Sequence, residues 1–144
     1  MKSRRTITNS AEETIALGRE IARELRSHAV VLLIGNLGAG KTTLAKGIVS
    51  GLGLADVDEV TSPTFTLIHE YGDGRLYHID LYRLDTAPQV AGLGLDEILA
   101  RDAIVLIEWG ERFPELLPKE RVEIRLKAVG EAREIFVSPP SNGN

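Results

Sequence analysis

The chain has 144 residues, 43% hydrophobic and 26% charged, the balance expected of one globular domain in water. It contains no cysteine, which excludes a disulfide scaffold, a thiol nucleophile and cysteine-ligated zinc or iron–sulfur centres. With 17 Lys and Arg against 21 Asp and Glu the net charge is −4, a poor basis for holding a nucleic acid unaided.

The opening Met1–Thr6 starts like a signal peptide, but the apolar stretch that has to follow is missing. The longest apolar run, Ala29–Ile34, is far too short to span a bilayer. The expectation is a soluble, cytoplasmic protein with no membrane contact. Residues 1–137 are expected to form one domain, and residues 138–144, Ser-Pro-Pro-Ser-Asn-Gly-Asn, a disordered tail.

Arg5–Thr8 has the length and character of an edge strand. Ser10 followed by Glu13 has the spacing of a capping box. Ile15, Gly18, Ile21, Ala22 and Leu25 then recur at helical spacing, which predicts an amphipathic helix over 11–26. Ala29–Ile34 reads as a strand buried on both faces, the kind found in parallel sheets. A glycine-rich turn at 35–40 leads to a helix from Lys41 that ends by Gly51 or Gly53. Segments 64–71 and 75–83 flank Gly72-Asp73-Gly74 and predict a hairpin. Gly92–Arg101 reads as a short helix, and Ala103–Ile107 as a second buried strand. Alternation at Val122, Ile124 and Leu126, and again at Ile135 and Val137, predicts a second hairpin around Gly130. The implied fold class is α/β, a three-layer domain with a parallel core sheet and antiparallel hairpin additions.

Gly35-Asn36-Leu37-Gly38-Ala39-Gly40-Lys41-Thr42 matches G-x-x-x-x-G-K-[ST] at every fixed position. In such a loop the glycines let successive backbone N–H groups turn toward a phosphate. The helix that follows adds the partial positive charge of its N-terminus. Lys41 then reaches the β- and γ-phosphates, and the Thr42 hydroxyl ligates Mg²⁺. A buried strand before the loop and a helical pattern after it supply the required context. The domain is therefore expected to be P-loop NTPase-like.

Mg²⁺ in these sites is completed by a carboxylate at the end of a neighbouring strand. Two acids stand in that position. Glu108 ends the second buried strand, and Asp80 interrupts the first hairpin between Ile79 and Leu81. Asp80 reads either as a metal- or water-positioning group or as a partner for Arg83. Ser62-Pro63-Thr64-Phe65-Thr66 reads either as a switch-like loop near the γ-phosphate or as a plain strand entry. His69 and His78 face each other across the predicted hairpin without a third ligand, so they read as ordinary strand residues. Trp109 is a candidate for covering the nucleotide or a partner, or for core packing.

Four blocks in order are Gly35–Thr43, Ser62-Pro63-Thr64-Phe65-Thr66-Leu67, His78-Ile79-Asp80-Leu81-Tyr82-Arg83-Leu84 and Ile107-Glu108-Trp109-Gly110-Glu111. Together they resemble the TsaE family, also called YjeE, over about residues 8–137. The resemblance implies a Mg²⁺-dependent P-loop ATPase needed for threonylcarbamoyladenosine formation next to the anticodon of tRNA. It implies TsaB and TsaD as partners, with the transferase chemistry on TsaD and tRNA held by the complex. It assigns phosphate and cofactor binding to the loop through Thr43, Mg²⁺ to Thr42 and Glu108, and hydrolysis to Asp80 with Lys41 and Glu108. It places Ser10 and Arg133 near the nucleoside.

Three other readings are weaker. A small-molecule P-loop kinase needs an arginine-bearing lid, and Arg101 and Arg112 are too scattered to make one. A GTPase needs an Asn-Lys-x-Asp run, which is absent. A module that merely docks nucleotide leaves the metal chemistry without use.

Overall fold

The computed structural model describes residues 1–140. A seven-stranded sheet runs through it in the order β1-β7-β6-β2-β5-β4-β3. Its strands are β1 (Arg4–Thr8), β2 (Ala29–Ile34), β3 (Ile68–Tyr71), β4 (Leu76–Asp80), β5 (Ile104–Glu108), β6 (Val122–Val129) and β7 (Ala132–Ser138). The central four, β6-β2-β5-β4, are parallel, and the pairs β1–β7, β7–β6 and β4–β3 are antiparallel. This is the P-loop NTPase-like architecture implied by the sequence pattern. Ala29–Ile34 is β2, with four consecutive residues buried, as a strand covered on both faces requires.

Alternation along β2 and β5 divides the core into two layers. Val31, Leu33, Ile104 and Leu106 pack under helices α1 (Ala11–Ala22) and α2 (Lys41–Gly51). Val30, Leu32, Val105 and Ile107 face α3 (Ala87–Ala91) and α4 (Leu95–Leu99) on the other side. The α1–α2 crossing is close because glycines meet there. A Cβ on Gly18 would lie 2.5 Å from the Leu44 carbonyl oxygen, and one on Gly47 would meet the Ile15 carbonyl. Gly18 belongs to the apolar stripe because it leaves room for a second helix.

Several local expectations are corrected. α1 starts as expected, with Ser10 Oγ accepting from the Glu13 N–H at 3.1 Å. The Glu13 carboxylate, however, accepts from the N–H of Asn9 rather than of Ser10. The helix stops at Ala22 rather than at 26, and Leu25 still packs on the core from beyond it. The predicted helix over 92–101 is confined to α4. Before it stands α3, which periodicity missed and which is stapled by a capping box between Thr86 and Gln89. The first hairpin is shorter than expected, since residues 64–67 form a turn and β4 stops at Asp80. Ser138, expected to open the tail, is the last residue of β7 and is registered against Glu123. Residues 141–144 of that expected tail lie outside the described residues. Among the described residues no helix is long and apolar enough to cross a membrane.

Candidate functional site

The site lies where open parallel sheets bind ligands, at the carboxyl ends of the strands. β2 ends at Ile34, and the chain turns through Gly35–Gly40 into α2 at Lys41. Gly38 and Gly40 take φ of 80° and 101°, conformations that a Cβ would strain. They wrap the backbone into a loop whose N–H groups lead into the α2 N-terminus. Beside β2, β5 and β4 end in register, with Asp80 the Cα partner of Glu108. A cavity of about 330 Å³ opens over these ends, and its lining includes the loop, Lys41, Thr42, Asp80, Glu108 and Trp109.

The structure brings together the residues that the sequence singled out. Lys41 is only 5% exposed, and its Nζ donates to the Gly35 carbonyl at 2.5 Å. The same ammonium sits 3.8 Å from the centre of the Trp109 ring, a cation–π contact. Burial pushes the Lys41 amine below the usual lysine range, while the carboxylates of Glu108, Glu111 and Asp80 act in the opposite direction. Thr42 Oγ1 lies 3.5 Å from Glu108 Oε2. Gly35, Asn36 and Ala39 shape the loop, with the Ala39 N–H bonded to the Asn36 carbonyl at 3.1 Å. Leu37 and Thr43 line the cavity, and Leu37 is exposed at the loop tip. Ser10 and Arg133 reach the same cavity from the start of α1 and from β7. Arg133 crosses the loop, with Nη2 donating to the Gly38 carbonyl at 3.3 Å.

Among the described residues Asp80 has no arginine partner. Its Oδ2 accepts from Thr64 Oγ1, and its Oδ1 from the Tyr82 N–H, each at 2.8 Å. Arg83, the partner that the sequence offered, instead lies over the Phe65 ring. Thr64 is in turn linked to Ser62 through their hydroxyls at 2.7 Å, so the Ser62–Thr66 segment is tied to the carboxylate. Two non-glycine residues beside the site take left-handed conformations, Leu67 with φ 72° and Trp109 with φ 65°. Both stand where a chain leaves or enters the carboxyl edge of the sheet, and such strain gathers at functional sites.

The two strand histidines part company. They are registered as expected, but the His69 ring meets Thr66 Oγ1, whereas His78 is fully buried with Nε2 hydrogen-bonded to Glu108 Oε2 at 2.6 Å. Sequence reasoning passed over His78 and the Lys41–Trp109 contact. Period-two alternation held the signal for His78, since it stands two residues before Asp80 on the same face of β4.

Thr42 and Glu108 supply hard oxygen donors from two elements. Among the described residues no group of three or more His, Cys, Asp or Glu side chains could hold a metal ion. That donor set suits Mg²⁺, which takes one or two protein oxygens and completes its shell with water and substrate phosphates.

The strand–loop–helix with its flanking carboxylates defines a P-loop NTPase-like protein. Residues 8–135 match the family model described as Threonylcarbamoyl adenosine biosynthesis protein TsaE, and the chain belongs to that family. It is 41% identical over 145 residues to the tRNA threonylcarbamoyladenosine biosynthesis protein TsaE of Bacillus subtilis (strain 168), covering 99% of this chain and 89% of the relative. The protein of the same description from Treponema pallidum (strain Nichols) is 40% identical, with 93% of this chain and 99% of the relative covered. The crystal structure of Bacillus subtilis YdiB is similar with a TM-score of 0.78 and 38% identity, over 98% of this chain and 88% of that one.

Proposed function

We propose that this chain is the Mg²⁺-dependent, ATP-binding and ATP-hydrolysing component of threonylcarbamoyladenosine formation in tRNA, acting with TsaB and TsaD. The observation that carries the reading is the convergence of Lys41, Thr42, Asp80 and Glu108 on one cavity at the carboxyl ends of β2, β4 and β5. The names of the relatives supply the process.

In this reading the ATP phosphates enter the loop and meet the backbone N–H groups at the start of α2. Lys41 exchanges the Gly35 carbonyl and the Trp109 ring for phosphate oxygens. Thr42 and Glu108 hold Mg²⁺, which when bound neutralises charge on the β- and γ-phosphates. Asp80 orients the attacking water near the γ-phosphate. Arg133 and Ser10 bound the nucleoside side of the cavity.

The Asp80–Thr64 bond makes hydrolysis dependent on the Ser62–Thr66 segment. Any movement of that segment changes the setting of the carboxylate. A P-loop site whose catalytic groups are incompletely fixed is slow until a partner orders them, an effect that reaches roughly 10³–10⁵ in rate. TsaB and TsaD are the proposed source of that order, and tRNA is held by the complex because this chain carries a net charge of −4.

The test is phosphate release from labelled ATP with Mg²⁺, by the chain alone and with TsaB and TsaD. Slow release that rises markedly with the partners is expected. Unchanged release with the partners, or phosphate transfer to a small metabolite at an ordinary kinase rate, would overturn the reading.

A further inference from the structure

His78 is a fully buried polar side chain with no task in the reading above. It stands on β4, opposite Leu106 of β5, so its ring points along the same face as Glu108 two residues further on. A carboxylate accepts hydrogen bonds, so we assign the hydrogen of their 2.6 Å bond to His78 Nε2. The other ring nitrogen, Nδ1, is buried and has no hydrogen-bond partner among the described residues. Glu108 is thus the one polar group that the ring serves. A buried nitrogen left unpaired is costly, and an apolar ring would fill this position without that cost. What the imidazole offers that an apolar ring does not is its bond to the buried Glu108 carboxylate.

We propose that His78 is a positioning residue for the cation site, holding Glu108 Oε2 through Nε2–H so that the carboxylate stays turned toward Thr42. Without that donor, Glu108 regains its side-chain rotations and is drawn toward the Lys41 ammonium, whose charge acts on it across the cavity. The inference rests on the reading of Glu108 as a Mg²⁺ ligand. Groups that orient a metal ligand in this way typically contribute 10–100-fold in metal affinity.

The experiment is calorimetry of ADP binding to the full chain across a series of Mg²⁺ concentrations, which separates the metal contribution from metal-free nucleotide affinity. His78→Phe keeps a ring and removes the donor. It is expected to raise the Mg²⁺ half-point by about 10–100-fold and to leave metal-free ADP affinity unchanged. His78→Gln keeps an N–H at similar reach and is expected to restore most of the loss. An unaltered half-point in His78→Phe, a His78→Gln variant as impaired as His78→Phe, or a parallel fall in metal-free affinity would each overturn the inference. A long-range ¹H–¹⁵N spectrum of the unaltered protein checks it without any variant. The Nε2–H tautomer is expected at His78, and the Nδ1–H tautomer overturns the proposal. ADP binding by the unaltered protein that ignores Mg²⁺ removes the cation reading together with this inference. A Mg²⁺-dependent parent with an unaffected His78→Phe removes the inference alone.

Discussion

Asp80 and Glu108 are Cα partners on adjacent parallel strands, each the last residue of its strand, yet they are held by different neighbours. Glu108 is bonded to the buried His78 ring and lies near Thr42, whereas Asp80 is bonded to Thr64 and to the Tyr82 N–H. One carboxylate is anchored in the core, and the other is attached to a loop. That difference separates a metal-holding role from one that a partner can tune.

Glu108→Ala and Asp80→Asn are accordingly expected to reduce hydrolysis more than ADP binding, since both act mainly on the transition state. Thr42→Ala should reproduce the altered Mg²⁺ dependence of Glu108→Ala, because both serve one ion. Asp80→Asn should leave that dependence unaltered. Steady-state rates across a Mg²⁺ series distinguish the two, and normal hydrolysis by Asp80→Asn would reduce that carboxylate to a structural acceptor for Thr64.

Lys41→Ala should weaken ATP binding by at least about tenfold, or 1.4 kcal/mol, with the urea midpoint little changed. The pH dependence follows from the same side chain. Burial lowers the Lys41 pKa below its ordinary 10.5 in the free protein, and bound phosphates favour the charged amine and raise it again. Binding therefore takes up a proton above the lowered pKa, and ATP affinity falls as pH rises toward 10.5. Calorimetry in buffers of different ionisation heat measures the uptake, which should vanish in Lys41→Ala.

Phe65 is 81% exposed beside the loop that carries Thr64. Its place in the segment tied to Asp80 makes it the residue through which a partner could act on the carboxylate. Phe65→Ala is expected to lower the partner-stimulated rate while the rate of the isolated chain stays the same. An equal fall in both would remove Phe65 from the contact.

Gly18→Ala is a stability test of the α1–α2 crossing. The added methyl gains up to about 1 kcal/mol of helix propensity, but it presses on the backbone of Leu44 and Gly47. Overpacking of this kind costs about 1–3 kcal/mol, and more where backbone must move. A net loss of at least about 1 kcal/mol in urea unfolding is expected. A variant more stable than the parent would show that the helices can part without cost.

Ser10→Ala should cost about 1 kcal/mol, because the hydroxyl caps α1. Ser10→Asp restores the cap. If Ser10 also touches the nucleoside, Ser10→Asp will recover the unfolding midpoint but not the ATP affinity, which a paired denaturation and binding measurement resolves.

The phosphate loop was legible in the sequence because its chemistry is local. Eight consecutive residues carry the loop, the lysine and the hydroxyl, and the unbroken run Ala29–Ile34 before them can only be a strand covered on both faces. The end of the second buried strand could also be read, so Glu108 stood out as the acid closing an apolar run, whereas Asp80 was read as an acid inside a strand over 75–83 and only the structure ends β4 there. The capping box at Thr86 and Gln89 was equally local, and α3 was missed only because its five residues are too few to show a period. What tertiary structure decided is which side chains meet across strands. Asp80 took Thr64 rather than Arg83, His78 took Glu108 rather than His69, and Lys41 settled over Trp109. Each of these contacts depends on strand register and order in the sheet. The order β2-β5-β4 places side by side three segments that start at residues 29, 104 and 76 of the chain. Spacing along a chain specifies which face a residue takes, but not which strand will lie beside it.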